Sequence, residues 1–133
     1  MPSLFSAVGN KTIEERTAMA EDYHARLEEN AWVLADMKAN GVDLSKERII
    51  DFAHVFNNKA AAQSFVDAVV ARGLVAEFDL IDSGEYDVIV SLRLKPNLNE
   101  ITVHESDLGK LARSFHGHAD GWGFINDDNV GSH

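Results

Sequence analysis

The chain has 133 residues, 45% of them hydrophobic, which is the size of one domain with a core of its own. It holds no cysteine, which excludes a disulfide framework, thiol nucleophiles and Cys-ligated zinc or iron–sulfur centres. Its net charge of −10, from 22 acidic against 12 basic residues, argues against direct binding to a nucleic-acid backbone, which needs clustered Lys and Arg.

The first twelve residues lack a basic segment followed by a long apolar one, so no signal peptide is expected. No apolar run approaches the roughly 18 to 20 residues of a membrane span. A soluble, cytoplasmic protein is the expectation. Residues 1–12 read as a flexible N-terminal arm. Thr12 is placed to cap a helix whose first turn holds Glu14 and Glu15, near the positive end of its dipole. That helix is predicted over Ile13 to Ala39, and Asn40-Gly41 stops it. Tyr23, Leu27, Leu34 and Met37 form its apolar stripe, with Ala20 and Ala31 filling it and Trp32 and Val33 widening it.

A strand follows from Ile49 to Phe56, with Ile50, Phe52, His54 and Phe56 on one face. After Asn57-Asn58, a second helix over Lys59 to Arg72 carries Ala62, Phe65, Val66 and Val69 at helical spacing, and Gly73 ends it. Strands at Val75 to Ile81 and Tyr86 to Leu94 are joined by the short loop Asp82-Ser83-Gly84-Glu85. Pro96 stops the ladder or marks an edge. A third helix is predicted from Thr102 to Phe115, with Leu108, Leu111, Ala112 and Phe115 on one face, and a last strand from Ala119 to Ile125. The order after the first helix is β-α-β-β-α-β, the ferredoxin-like pattern. An α+β fold follows, with a four-stranded antiparallel sheet, two helices on one face, and a long N-terminal helix added to it.

Asp120-Gly121-Trp122-Gly123 stands out near the C-terminus. A Trp between two glycines points to a bulged last strand that closes the domain, the indole filling space and seeking a partner for its N–H.

With those motifs in order, the chain resembles the B-type (RraB-like) regulators of ribonuclease E activity. The resemblance runs from about Thr17 to Gly123. It rests on the polar first helix ending in Gly41-Val42-Asp43, the strand bearing His54, the helical Leu108-Gly109-Lys110-Leu111-Ala112-Arg113-Ser114-Phe115, and the closing Asp-Gly-Trp-Gly. It implies one RraB-like domain over residues 13–126 and a short C-terminal tail over 127–133. Members of the family carry a long acidic tail, whereas here Asp127 and Asp128 alone supply acid after the last strand. It further implies a noncatalytic inhibitor that binds the Arg-rich, basic C-terminal region of a ribonuclease E-type endoribonuclease and modulates RNA turnover.

The sequence offers an acidic surface that suits such a partner. Glu14-Glu15, Glu21-Asp22 and Glu28-Glu29 recur every seven residues, with Asp36 near the next step. Seven residues is nearly two helical turns, so these pairs form one slowly winding ridge on the first helix. The bland alternative is a solvated helix face. Trp32 is an apolar anchor for binding if it faces outward, while the stripe places it in the core.

No catalytic site, metal or cofactor is expected. The chain has no nucleophile motif, no P-loop and no dinucleotide fingerprint. His54 between two Phe residues reads as a half-buried, hydrogen-bonded histidine before it reads as a general base. His116-x-His118 with His104 supports the competing reading, a metal- or small-molecule-binding module. A self-associating homo-oligomer is a third reading, and a membrane partner is not expected.

Overall fold

The computed structural model describes residues 13–125, with the side chains of residues 15–21 excepted. The N-terminal arm, the Thr12 cap and the tail therefore lie outside the described residues. Seven elements follow in order: α1 (Ile13–Ala39), β1 (Arg48–Phe56), α2 (Lys59–Ala71), β2 (Val75–Leu80), β3 (Tyr86–Leu94), α3 (Leu98–Ser114) and β4 (His118–Gly123). The strands form one antiparallel sheet in the order β2-β3-β1-β4. This is the βαββαβ arrangement predicted, with α1 added before it.

Alternation within β1 and β3 decides which face carries the core. Ile50, Phe52, His54 and Phe56 point to one side, and they pair across the ladder with Leu92, Val90, Val88 and Tyr86. Helices α2 and α3 cover that side with Ala62, Phe65, Val66 and Val69, and with Ile101, Leu108 and Ala112. Phe56 and Phe65 meet as a tilted pair with ring centroids 5.1 Å apart. Full burial of side chains of this size contributes about 1.5–3 kcal/mol each.

The helix ends follow local chemistry. Asn58 caps α2 by accepting from the Ala61 N–H at 2.8 Å, and Asn97 caps α3 by accepting from the Glu100 N–H at 2.9 Å. The Asn97 cap starts α3 at Leu98, four residues before the predicted start. The polar Asn99-Glu100 pair that resembles a loop in sequence forms the first helical turn. The three described helices end in the same reverse turn. Val42, Leu74 and Gly117 donate back to the carbonyls of Met37, Val69 and Ala112. Glycine supplies the left-handed residue after α1 and α2, at Gly41 and Gly73, whereas after α3 it is His116, with φ 67°.

The last strand is bulged, as its glycines predict. The register of β4 against β1 slips between Phe52 and His54, so Trp122 faces Phe52 and Ala119 faces His54, with Asp120 and Gly121 in between. Gly121 has φ +109°, a conformation that side-chain-bearing residues rarely adopt.

Candidate partner-binding surface

Helix α1 does not join the sheet core. It packs along α3, and its fixed point is a buried asparagine. Asn30 is 2% exposed and lies three residues after Leu27 and four before Leu34, on the helix's apolar stripe. Its Nδ2 donates to Thr102 Oγ1 at 3.1 Å and to Glu105 Oε1 at 3.0 Å, both on α3. Its Oδ1 accepts the indole N–H of Trp122 at 2.9 Å. One amide thus ties the first helix, the third helix and the Asp-Gly-Trp-Gly strand together, with every polar group of the side chain engaged.

Charge extends the junction outward. Arg26 lies 3.3 Å from Glu105 Oε2 and donates from Nε to Asp22 Oδ2 at 3.0 Å. The Glu105 carboxylate is therefore shared between an amide and a guanidinium, which offsets the cost of burying it. Gly109 lies beneath this chain. A methyl group there would meet Ala119 Cβ at 3.3 Å and Arg26 Nη2 at 3.6 Å, so its hydrogen lets α1 and β4 close on α3.

The junction corrects the expected stripe. Leu34 is buried and Tyr23, Leu27, Val33 and Met37 are half-buried, but Ala31 is exposed, and the buried residue beside it is Asn30. Trp32 is 69% exposed and does not pack in the core. Its position is two residues beyond Asn30, about 200° around the helix, and so on the far side from α3.

The acidic residues share that outer side in part. Glu14, Asp22, Glu28, Glu29 and Asp36 are exposed, while the side chains of Glu15 and Glu21 lie outside the described residues. Asp22 is engaged with Arg26, and Glu28 is 3.6 Å from the exposed His24. Glu29 and Asp36 stand in the same exposed turns as Trp32.

The histidines do not converge. His54 is buried between the sheet and α2, 1% exposed, with its ring 4.9 Å from that of Phe65. It is fully buried where half-burial was expected, and its Nδ1 has no hydrogen-bond partner among the described residues. Burial lowers its pKa to about 4, so it is neutral at physiological pH. His104 on α3 is 3.7 Å from Glu100, one turn earlier on the same helix. His116 is in the turn after α3, and His118 opens β4 opposite Val55. Among the described residues, no three His, Asp or Glu side chains are placed to hold a metal ion.

The uncovered face of the sheet carries its own charge. Asp79 and Asp87 sit directly across the β2–β3 ladder, and Asp120 lies near enough to act on Asp87. Burial, then the like charges of Asp120 and Asp79, push the Asp87 carboxyl above its ordinary range. At the other end of this face, Asp51 accepts from the Ser91 hydroxyl at 2.7 Å, and a hollow of about 460 Å³ opens among Lys46, Glu47, Ile49 and Arg93. Its mixed charges assemble no nucleophile and base.

Of this junction the sequence marks Trp122, in the closing tetrapeptide, but not Asn30, Arg26, Thr102 and Glu105. One signal was available: an asparagine at an apolar position of a helical stripe demands a buried partner.

Among curated proteins, none matches the chain. A protein-family model described as "Regulator of ribonuclease activity B" matches residues 27–124. The matched span begins in α1 at the turn that carries Glu28, Glu29, Asn30 and Trp32, and it runs through Trp122. No helix among the described residues is long and apolar enough to cross a membrane.

Proposed function

The chain belongs to the RraB family, the regulators of ribonuclease activity, and on that premise we propose that it is a noncatalytic cytoplasmic protein that binds and inhibits a ribonuclease E-type endoribonuclease. The family match carries this reading. The proposed domain spans residues 13–126, with residues 1–12 as an arm and 127–133 as a tail. Its partner is the basic C-terminal region of the nuclease, and it alters RNA turnover without touching RNA.

The proposed contact is the acidic ridge of α1: Glu14, Glu15, Glu21, Asp22, Glu28, Glu29 and Asp36. Exposure of Glu14, Asp22, Glu28, Glu29 and Asp36 supports it. So does the net charge of −10, which favours encounter with a basic segment. Asp120, Gly121, Trp122 and Gly123 have a structural part: they bulge β4 and aim the indole at Asn30, which fixes the helix that bears the ridge.

The test neutralises Glu28, Glu29 and Asp36 together as Gln, Gln and Asn. Asp22 is left in place because removing it would release Arg26 from its ion pair. The substituted positions are exposed, so melting temperature should hold, and inhibition of the nuclease should weaken most at low salt. Unchanged inhibition would remove Glu28, Glu29 and Asp36 from the mechanism.

A further inference from the structure

The outer face of α1 holds an aromatic ring that the fold leaves in water. Trp32 is 69% exposed, although Trp is ordinarily among the most buried side chains on average. Its nearest helical neighbours, three and four positions away, are Glu28, Glu29, Ala35 and Asp36, and all four are exposed. Three of the four are acids, and none is Lys or Arg. The adjacent Ala31 and Ala35 are too small to cover the ring. A long side chain on a helix leans toward the preceding turn, which sets the indole over the Glu28–Glu29 pair.

This arrangement selects among basic groups. A lysine ammonium is attracted by the carboxylates and, as a compact and strongly hydrated point charge, gains less from the ring. A guanidinium does more: its plane stacks on the indole while its N–H groups reach carboxylates at the ring's edge. It is also more weakly hydrated, so it loses less on leaving water.

We infer that Trp32, with Glu28, Glu29 and Asp36, is a docking site for an arginine side chain of a basic, Arg-rich partner segment. The site deepens the regulator reading above and rests on it for the partner's identity. Trp32 supplies the anchoring contact, and the carboxylates supply encounter and orientation.

The probe is fluorescein-labelled octa-arginine, compared with octa-lysine, titrated with the full chain at physiological salt. Trp32→Ala should weaken octa-arginine binding about 5- to 20-fold and octa-lysine binding less than about 2-fold. Trp32→Phe should recover much of the loss, and melting temperature should stay unchanged. Unchanged octa-arginine binding, or equal loss for both peptides, would overturn the site. So would concentration-dependent dimerisation that Trp32→Ala abolishes without affecting peptide binding, since the face would then serve a second copy.

Inhibition of the nuclease is measured in parallel. Wild-type protein that binds octa-arginine through Trp32 yet fails to inhibit would keep the site and overturn the regulator reading. Inhibition that survives Trp32→Ala, with unchanged peptide binding, would do the reverse.

Discussion

Trp122 donates its indole N–H to Asn30 Oδ1 at 2.9 Å, joining the last strand to the first helix. The bond matters because Asn30 also satisfies Thr102 and Glu105 in a buried site. Asn30→Ala would leave three polar groups without this partner, so it should destabilise the fold by about 2–4 kcal/mol in urea unfolding. Trp122→Phe keeps most of the packing and removes one donor, so about 1–2 kcal/mol is expected. The two substitutions should be non-additive in a double-mutant cycle. Additive losses would mean that the bond does not couple the strand to the helix.

His54 sets an acid limb on stability. Its pKa is about 4 in the folded chain against an ordinary value of 6.5. Between those values the unfolded chain takes up a proton that the folded chain refuses. Stability is thus full above about pH 6.5 and falls as pH drops toward 4, by roughly 3 kcal/mol at most. His54→Leu should flatten this slope by about one proton. An unchanged slope in unfolding measured from pH 7 to pH 4.5 would contradict the assignment.

Asp87 works in the opposite sense. Its carboxyl is raised by burial and by Asp120 and Asp79, so the folded chain binds that proton more readily than the unfolded chain. Ionised Asp87 therefore destabilises the fold at neutral pH, and protonation on acidification relieves this. Asp87→Asn should raise the melting temperature at pH 7, with the gain shrinking as pH falls through the raised pKa. A lower melting temperature for Asp87→Asn at pH 7 would contradict this sign.

Gly117 marks where β4 leaves α3 over the core. A methyl group there would overlap the ring of Phe56, which is itself fully buried. Gly117→Ala should cost about 1–3 kcal/mol or more, because neither the ring nor the backbone has room to give. Differential scanning calorimetry reads the loss directly, and a neutral result would show that the ring can move aside.

The sheet and its helices are legible in sequence because their signals are local. Alternation in β1 and β3, helical spacing in α2, and the glycines after α1 and α2 each state their own structure. The bulge at Gly121 is legible for the same reason. The start of α3 is not, because the polar Asn99-Glu100 turn hides behind Pro96 until Asn97 is seen to cap it. Nor is the outward placement of Trp32 legible, because α1 has two weakly apolar faces. Which one is buried depends on Thr102, Glu105 and Trp122, residues 72 to 92 positions away. The exposure of Glu14, Asp22, Glu28, Glu29 and Asp36 is legible in their spacing. The ion pair that ties Asp22 to Arg26 and on to Glu105 emerges only with α3 in place.

The most direct test of the central claim is binding of this protein to the ribonuclease E-type enzyme of its own host, full-length and C-terminally truncated, at low and physiological salt. The predicted result is salt-sensitive binding that requires the C-terminal region and accompanies loss of nuclease activity. No binding to either form at low salt would contradict the proposed partner.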